Sequence, residues 1–295
     1  MKNNILKTLK VQEDGKLIDL LFSIYKDSPK KRVKTMLKNG QIKVDSIVKT
    51  HFSTDVIKGQ EIVITKIGYV YKKTDTKLDI IYEDSEIIAI NKPAGLLSIS
   101  TGKENEATAY HLVYEYVQSK NLKNRIYSIH RLDKATSGVL IFAKNEETKT
   151  LLQDNWEKCA LKRCYTAVIE GHLSEKSGII RSWLKENSIH KVYSSYSFGD
   201  GKEAVTKYEV IRDGKEYSLV KFELMTGRKN QIRVHMYDKH CPIAGDKKYG
   251  ASTNPLKRLC LHADTLIIKH PITGKEMIFK ANVPRRFAGL VKHGQ

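Results

Sequence analysis

The stretch SIHRLDKATSGVLIFAKN, Ser128 to Asn145, decides how the rest of the chain is understood. His130-Arg131-Leu132-Asp133 sets an imidazole, a guanidinium and a carboxylate side by side. A turn of small residues follows, Thr136-Ser137-Gly138, and then the apolar run Val139 to Ala143, which predicts a buried strand. A carboxylate at the mouth of such a strand is partly desolvated, and desolvation alone favours the neutral acid. An ionised Asp133 therefore needs a cation beside it. By itself the residue also fits an Asx-turn or one half of an ion pair with Arg131.

At 295 residues the chain is long enough for two domains. Its 52 Lys and Arg outnumber 33 Asp and Glu, and the net charge of +19 points to a polyanionic partner. No apolar run approaches the ~20 residues of a membrane helix. The start, MKNNILKTLKVQEDG, lacks the apolar core of a signal peptide. Cys159, Cys164, Cys241 and Cys260 form no C-x-x-C pair, and a chain of this size needs no disulfide staples. A cytoplasmic setting is expected, with no membrane and no obligate protein partner. His235, His240, Cys241, Cys260 and His262 do not follow a standard zinc spacing, so no metal is expected. Without a phosphate-binding glycine loop or G-x-G-x-x-G, no cofactor is expected either.

Charge is concentrated early. Residues 1–73 hold 16 Lys and Arg and 7 Asp and Glu, a net of +9. In DSPKKRVKTMLKNGQIKVD, Asp27 or Ser28 can cap a helix with Pro29 in its first turn. Lys30, Lys34 and Lys38 then share one face, and Val33, Met36 and Leu37 turn to the core. Asn39-Gly40 stops the helix and Gln41 to Val44 alternates as a strand. Polar, charged residues from Gly68 to Lys77 look like a linker. Beyond it, strands are expected around Glu83-Asp84-Ser85 and over Tyr165–Glu170, Ala204–Arg212 and Tyr217–Leu224, with helices over Ala109–Val117 and Thr148–Ala160.

Two resemblances organise these pieces. Residues 11–65, with the basic helix, IKVD and KGQEIVI, resemble the alpha-L, or S4-type, RNA-binding motif. In that family a basic helix face tracks RNA phosphates, which here implies Lys30, Lys31, Arg32, Lys34 and Lys38. HRLDKATSGVLIFAKN closely resembles the catalytic signature of the RluA-type pseudouridine synthases. NKPAGLLS, KRCYTAVIEG, LMTGRKNQIRVHM, PIAGDKKYG and RLCLHADTLIIKHP follow that family's order over residues 78–290. Asn230 departs from it, standing where the family usually has histidine. The implied architecture is α+β: an S4-like domain (1–66), a linker (67–77) and a catalytic domain (78–295) built on a mixed, largely antiparallel sheet with flanking helices.

The resemblance also implies roles. Pseudouridine formation breaks the bond from ribose carbon 1′ to uracil nitrogen 1, turns the base and rejoins it through carbon 5. It needs a carboxylate that attacks the sugar carbon or removes a sugar proton, and Asp133 stands at that position. Arg233, on a helix expected to begin near Gly227, is the implied counter-charge. Tyr165 is implied to stack on the uracil and to help remove the carbon 5 proton. Arg131, His130 and Arg228 are implied RNA contacts, with Arg131 filling the gap left by the flipped uridine or holding a phosphate. Ribosomal RNA of the large subunit is expected as substrate ahead of tRNA. The rival readings are a tRNA-specific synthase and a non-catalytic RNA-binding assembly factor.

Overall fold

The computed structural model describes residues 4–66, 77–100, 107–121 and 123–291. The chain divides into two compact units, one formed by Met1–Lys77 and Ile99–Ile126, the other by Leu78–Ser98 and Tyr127–Gln295. Most of the expected linker, residues 67–76, lies outside the described residues. The division differs from the expected one at Ile99–Ile126, which groups with the N-terminal residues.

The reason is a buried polar cluster. In the first unit a four-stranded sheet runs in the order Ile5–Lys10, Glu61–Thr65, Ile42–Val44, Ile47–Lys49. Asp45-Ser46, both at positive φ, turns the last two strands into a hairpin. Tyr114, fully buried on the helix Ala109–Lys120, donates its hydroxyl to Asp45 Oδ2 at 3.1 Å. Gln60 Nε2 donates to the same oxygen at 3.0 Å, and Arg125 Nε lies 3.3 Å from it. A phenol hydroxyl buried without such partners would cost ~1–3 kcal/mol. This cluster ties the helix to the hairpin across 69 positions of sequence.

The basic helix spans Lys30–Lys38 and buries Val33, Met36 and Leu37, with Asn39 as C-cap and Gly40 at φ 67°. Pro29 stands at the N-cap, and neither Asp27 nor Ser28 caps it. Lys30 lies over the Phe22 ring at 5.5 Å and Lys34 over Phe52 at 5.9 Å, so both cations stand against aromatic faces on the expected side of the helix.

In the second unit, eleven strands among the described residues form one sheet. Its path runs Val192–Ser195, Ser177–Glu186, Lys202–Asp213, Tyr217–Leu224, Ala160–Glu170, Leu261–Lys269, Ser137–Ala143, Ile87–Lys92, Ile80–Glu83. Its pairings are antiparallel except for Ser137–Ala143 against Leu261–Lys269, so the sheet is mixed as expected. The helices Gln231–Asp238 and Arg285–Leu290 bring Ile232, Met236 and Phe287 onto Ala167, Ile169, Val220 and Phe222. Leu152 packs on Val139 and Ile141. The helix expected over Thr148–Ala160 divides at Asn155 into Glu146–Asp154 and Trp156–Cys159, and Ala160 already begins a strand. Among the described residues no helix is long and apolar enough to cross a membrane.

Candidate active site

Asp133 hangs in a loop whose neighbours are all fixed. On one side, Ser98 Oγ accepts the Leu132 N–H at 3.0 Å and donates to the Leu132 carbonyl at 2.8 Å. On the other, the Lys134 carbonyl accepts from Gly95 N at 2.8 Å and from Lys92 Nζ at 3.3 Å. Thr136 N closes a turn on the Asp133 carbonyl. Ser137 Oγ lies 2.8 Å from His262 Nδ1 and accepts from Arg258 Nη2 at 2.7 Å. Gly138 then enters the sheet at φ 118°, where a Cβ would come 2.1 Å from the Ala263 carbonyl oxygen. Only glycine permits that approach. The Asp133 loop is thus anchored on both sides of the carboxylate.

Its partner comes from 100 residues away. Arg233 Nη1 donates to Asp133 Oδ2 at 3.1 Å. Asp133 keeps 32% of its side-chain surface exposed, so it remains reachable. The fork of the same guanidinium goes elsewhere: Nε to Asp246 Oδ2 at 2.6 Å and Nη2 to Asp246 Oδ1 at 2.8 Å. Asp246 is 1% exposed. Gly245 before it stands at φ 82°, where a Cβ would come 2.1 Å from the Arg258 carbonyl oxygen. Asn230 Oδ1 accepts from Arg233 Nη1 at 3.0 Å, and Asn230 Nδ2 donates to Tyr249 Oη at 3.1 Å. The Tyr249 ring lies 5.0 Å from the Arg233 guanidinium carbon. Arg233 is thus aimed by Asp246, Asn230 and Tyr249 before it meets Asp133.

The helix carrying Arg233 starts at Gln231, later than expected. Asn230 occupies the left-handed region at φ 56°, which asparagine tolerates better than most residues. Gln231 secures the preceding turn. Its Oε1 accepts from Arg228 N and Thr226 Oγ1, and its Nε2 donates to the Val205 carbonyl and Thr206 Oγ1.

Lys92 is a second cation in this neighbourhood. It is fully buried, and its ammonium donates to the carbonyls of Leu96 (2.7 Å), Pro93 (3.0 Å) and Lys134 (3.3 Å). Burial lowers its pKa to about 7, while the nearby charge of Asp133 works to raise it.

Tyr165 lies on the strand Ala160–Glu170, at a shift in register against Leu261–Lys269. Irregular pairing of this kind is common beside active sites. Burial pushes its hydroxyl up to about 12, with Arg163 acting downward and Asp133 upward, so it is a neutral phenol at neutral pH. Arg131 is exposed, and the ion pair of Asp133 goes to Arg233. His130 has two neighbours within the protein. Its ring stacks on Trp156 at 4.9 Å, and Nε2 accepts the Ile141 N–H at 3.2 Å. Burial lowers its pKa to about 4, so a neutral imidazole braces the loop. Arg228 Nε donates to the Glu203 carbonyl.

Four of the five groups weighed for zinc have other partners. His235 meets Ser182 and Thr206, Cys241 the His172 carbonyl, Cys260 the Arg258 carbonyl and His262 Ser137. Among the described residues no cluster is arranged to hold a metal.

Sequence reasoning named Asp133, Tyr165 and Arg233 but gave no part to Asp246, Lys92, Ser98 or Tyr249. The signal for Asp246 and Tyr249 lay in PIAGDKKYG, and that for Lys92 and Ser98 in NKPAGLLS.

Comparison with known proteins accords with this geometry. Residues 86–238 match the family described as RNA pseudouridylate synthase. The chain belongs to that family. Its members convert uridine in RNA to pseudouridine, and the protein is accordingly an isomerase with RNA as substrate. It is 36% identical over 218 residues to the uncharacterized RNA pseudouridine synthase YhcT of Bacillus subtilis, covering 73% of this chain and 72% of the relative. It is 31% identical over 299 residues to ribosomal large subunit pseudouridine synthase D of Vibrio cholerae, covering 95% and 91%. A solved structure, human RNA pseudouridylate synthase domain containing 4, shares the fold at a TM-score of 0.59 and 24% identity, over 71% of this chain and 90% of that one.

Proposed function

We propose that this pseudouridine synthase modifies large-subunit ribosomal RNA in the cytoplasm, with Asp133 as the carboxylate that attacks ribose carbon 1′ or removes a sugar proton. The observation that carries the reading is a reachable carboxylate held by an arginine that is itself fixed from behind by Asp246. Arg233 sets a positive charge beside the Asp133 carboxylate as RNA closes over the site and water leaves. Tyr165 stacks on the target uracil, and its neutral hydroxyl relays the carbon 5 proton rather than taking it as a phenolate. Exposed Arg131 contacts RNA beside the flipped uridine, and His130 serves the loop. Near-full-length similarity to a relative named for the large ribosomal subunit favours ribosomal RNA over tRNA.

The N-terminal region acts as an S4-type grip on RNA. Lys30, Lys31, Arg32, Lys34 and Lys38, all exposed on one helix, supply charge to phosphates without taking part in the chemistry.

The test is pseudouridine mapping in ribosomal and transfer RNA from cells carrying wild-type protein or Asp133→Asn, with single-turnover rates and RNA affinity for both proteins. The variant is expected to lose isomerisation and keep RNA binding, since one carboxylate adds nothing attractive toward phosphate. Turnover near the wild-type rate would remove Asp133 from its role. Loss of pseudouridine from tRNA alone would move the substrate there.

A further inference from the structure

Arg163 and Arg228 lie close enough for their like charges to interact, and among the described residues no carboxylate pairs with either. Arg163 precedes Tyr165 by two positions on one strand, and Tyr165 contributes to the field at its guanidinium. The Arg163 guanidinium lies against Gly227, where a Cβ would come 2.7 Å from Nη1. Gly227 is the residue directly before Arg228. Each guanidinium is anchored by a backbone carbonyl: Arg163 Nη2 donates to Met225 at 3.0 Å, and Arg228 Nε donates to Glu203 at 2.9 Å. Among the described residues, neither forms an ion pair with a carboxylate. Glu157 contributes to the field at Arg163 without closing on it. Arg163 Nε is buried with no acceptor among the described residues.

This arrangement is costly in isolation. Burial, with the like charge of Arg228 added, holds the Arg163 guanidinium below its usual range. A buried donor without an acceptor costs a further ~1–3 kcal/mol. An anion placed between the two forks would remove both penalties. Carboxylate and phosphate geometry both suit guanidinium forks. In an enzyme acting on RNA, the anion repeated at each nucleotide is the phosphodiester.

We propose that Arg163 and Arg228 together bind the phosphodiester adjoining the target uridine, each offering the guanidinium edge that its carbonyl anchor leaves over. The site sets the backbone of the flipped nucleotide while Tyr165 takes its base, so it fixes distance and angle where Asp133 acts on the ribose. Gly227 lets the Arg163 guanidinium lie close to the backbone just before Arg228. The inference rests on the assignment of Tyr165 to the target base.

The experiment measures binding of uridine 3′,5′-bisphosphate, uridine 3′-monophosphate, uridine 5′-monophosphate and uridine to the full-length protein, wild type and Arg163→Met, with thermal midpoints as a folding control. Wild type should prefer the bisphosphate to uridine by about tenfold or more, and Arg163→Met should lose most of that preference. The two monophosphates identify which side of the nucleotide is held. Arg228→Met removes the second fork and should also weaken bisphosphate binding; it keeps the test decisive if Arg163→Met fails to fold. An unchanged preference in Arg163→Met or Arg228→Met, or a wild type that binds uridine as well as the bisphosphate, overturns the proposal. If the preference depends on Arg163 while Asp133→Asn still isomerises RNA, the anion site stands and the assignment of Asp133 fails.

Discussion

Asp246 holds Arg233 along a whole guanidinium edge, Nε to Oδ2 at 2.6 Å and Nη2 to Oδ1 at 2.8 Å. Asp133 receives one nitrogen of the same arginine, at 3.1 Å. The two-donor fork thus serves orientation, and the partly exposed carboxylate of Asp133 is held by a single longer bond. Asp246→Asn keeps the side-chain shape but removes the charge and turns one acceptor into a donor. It should destabilise the protein by about 3–5 kcal/mol, the usual cost of breaking a buried pair. It should also lower the single-turnover rate by about 100-fold through misplacement of Arg233. Denaturant midpoints and rates on the same RNA check both, and a variant equal to wild type in both would remove Asp246 from this part.

Asn230 carries two duties that substitution can separate. Its backbone lies at φ 56°, and its side chain bridges Arg233 and Tyr249. Asn230→Ala loses the bridge and strains the backbone, whereas Asn230→Gly loses the bridge alone. Glycine should therefore be the more stable of the two by about 1 kcal/mol, and the two should be equally slow. Unequal rates that follow stability would mean that the side chain matters only for folding.

Parts of this were legible in the sequence, for identifiable reasons. Asp133 stood beside cations and before an apolar run, a local pattern that any fold must accommodate. The strand Tyr217–Leu224 and the lysine face of the helix Lys30–Lys38 followed from periods of two and about four residues. Asp246 did not show, because an ion pair between a helix and a loop 13 positions later has no periodic signature. The grouping of Ile99–Ile126 with the N-terminal residues did not show either. It depends on the Tyr114 hydroxyl meeting Asp45 across 69 positions, and a buried tyrosine in sequence looks like any other core aromatic. The break at Asn155 interrupts a helix whose apolar pattern, Leu151, Leu152 and Trp156, continues through it.

The same Tyr114 interaction changes how the N-terminal charges should be tested. Deleting residues 1–66 would remove Asp45 and Gln60 and strip a buried tyrosine of both partners. Neutralising charge leaves the fold intact. Lys31→Gln, Arg32→Gln and Lys38→Gln together avoid the two lysines that lie over Phe22 and Phe52. The triple variant should bind RNA more weakly and with a shallower salt dependence, the slope falling by about 0.7–0.9 for each phosphate no longer neutralised. Its single-turnover rate at saturating protein should stay near wild type. A titration series at several salt concentrations measures the first effect, and an unchanged slope would take this helix away from RNA.

His235 gives stability an acid limit. It is fully buried, with Nε2 3.0 Å from Ser182 Oγ and Nδ1 2.9 Å from Thr206 Oγ1. Burial, assisted by the charge of Lys239, lowers its pKa from 6.5 to about 4. His130 is lowered to a similar value by burial and by Arg163. Between about pH 6.5 and 4 the unfolded chain therefore binds protons that the folded protein refuses. Stability from these histidines is complete above about pH 6.5 and is lost as pH falls through that window. For His235 alone the loss amounts to roughly 3 kcal/mol. His235→Gln cannot titrate, so it should be less stable than wild type at about pH 7 yet lose less on acidification. Urea midpoints at intervals from about pH 7 to 4.5 should show the two curves converging; curves that stay parallel would mean that His235 takes up its proton as readily in the folded protein as in the unfolded chain.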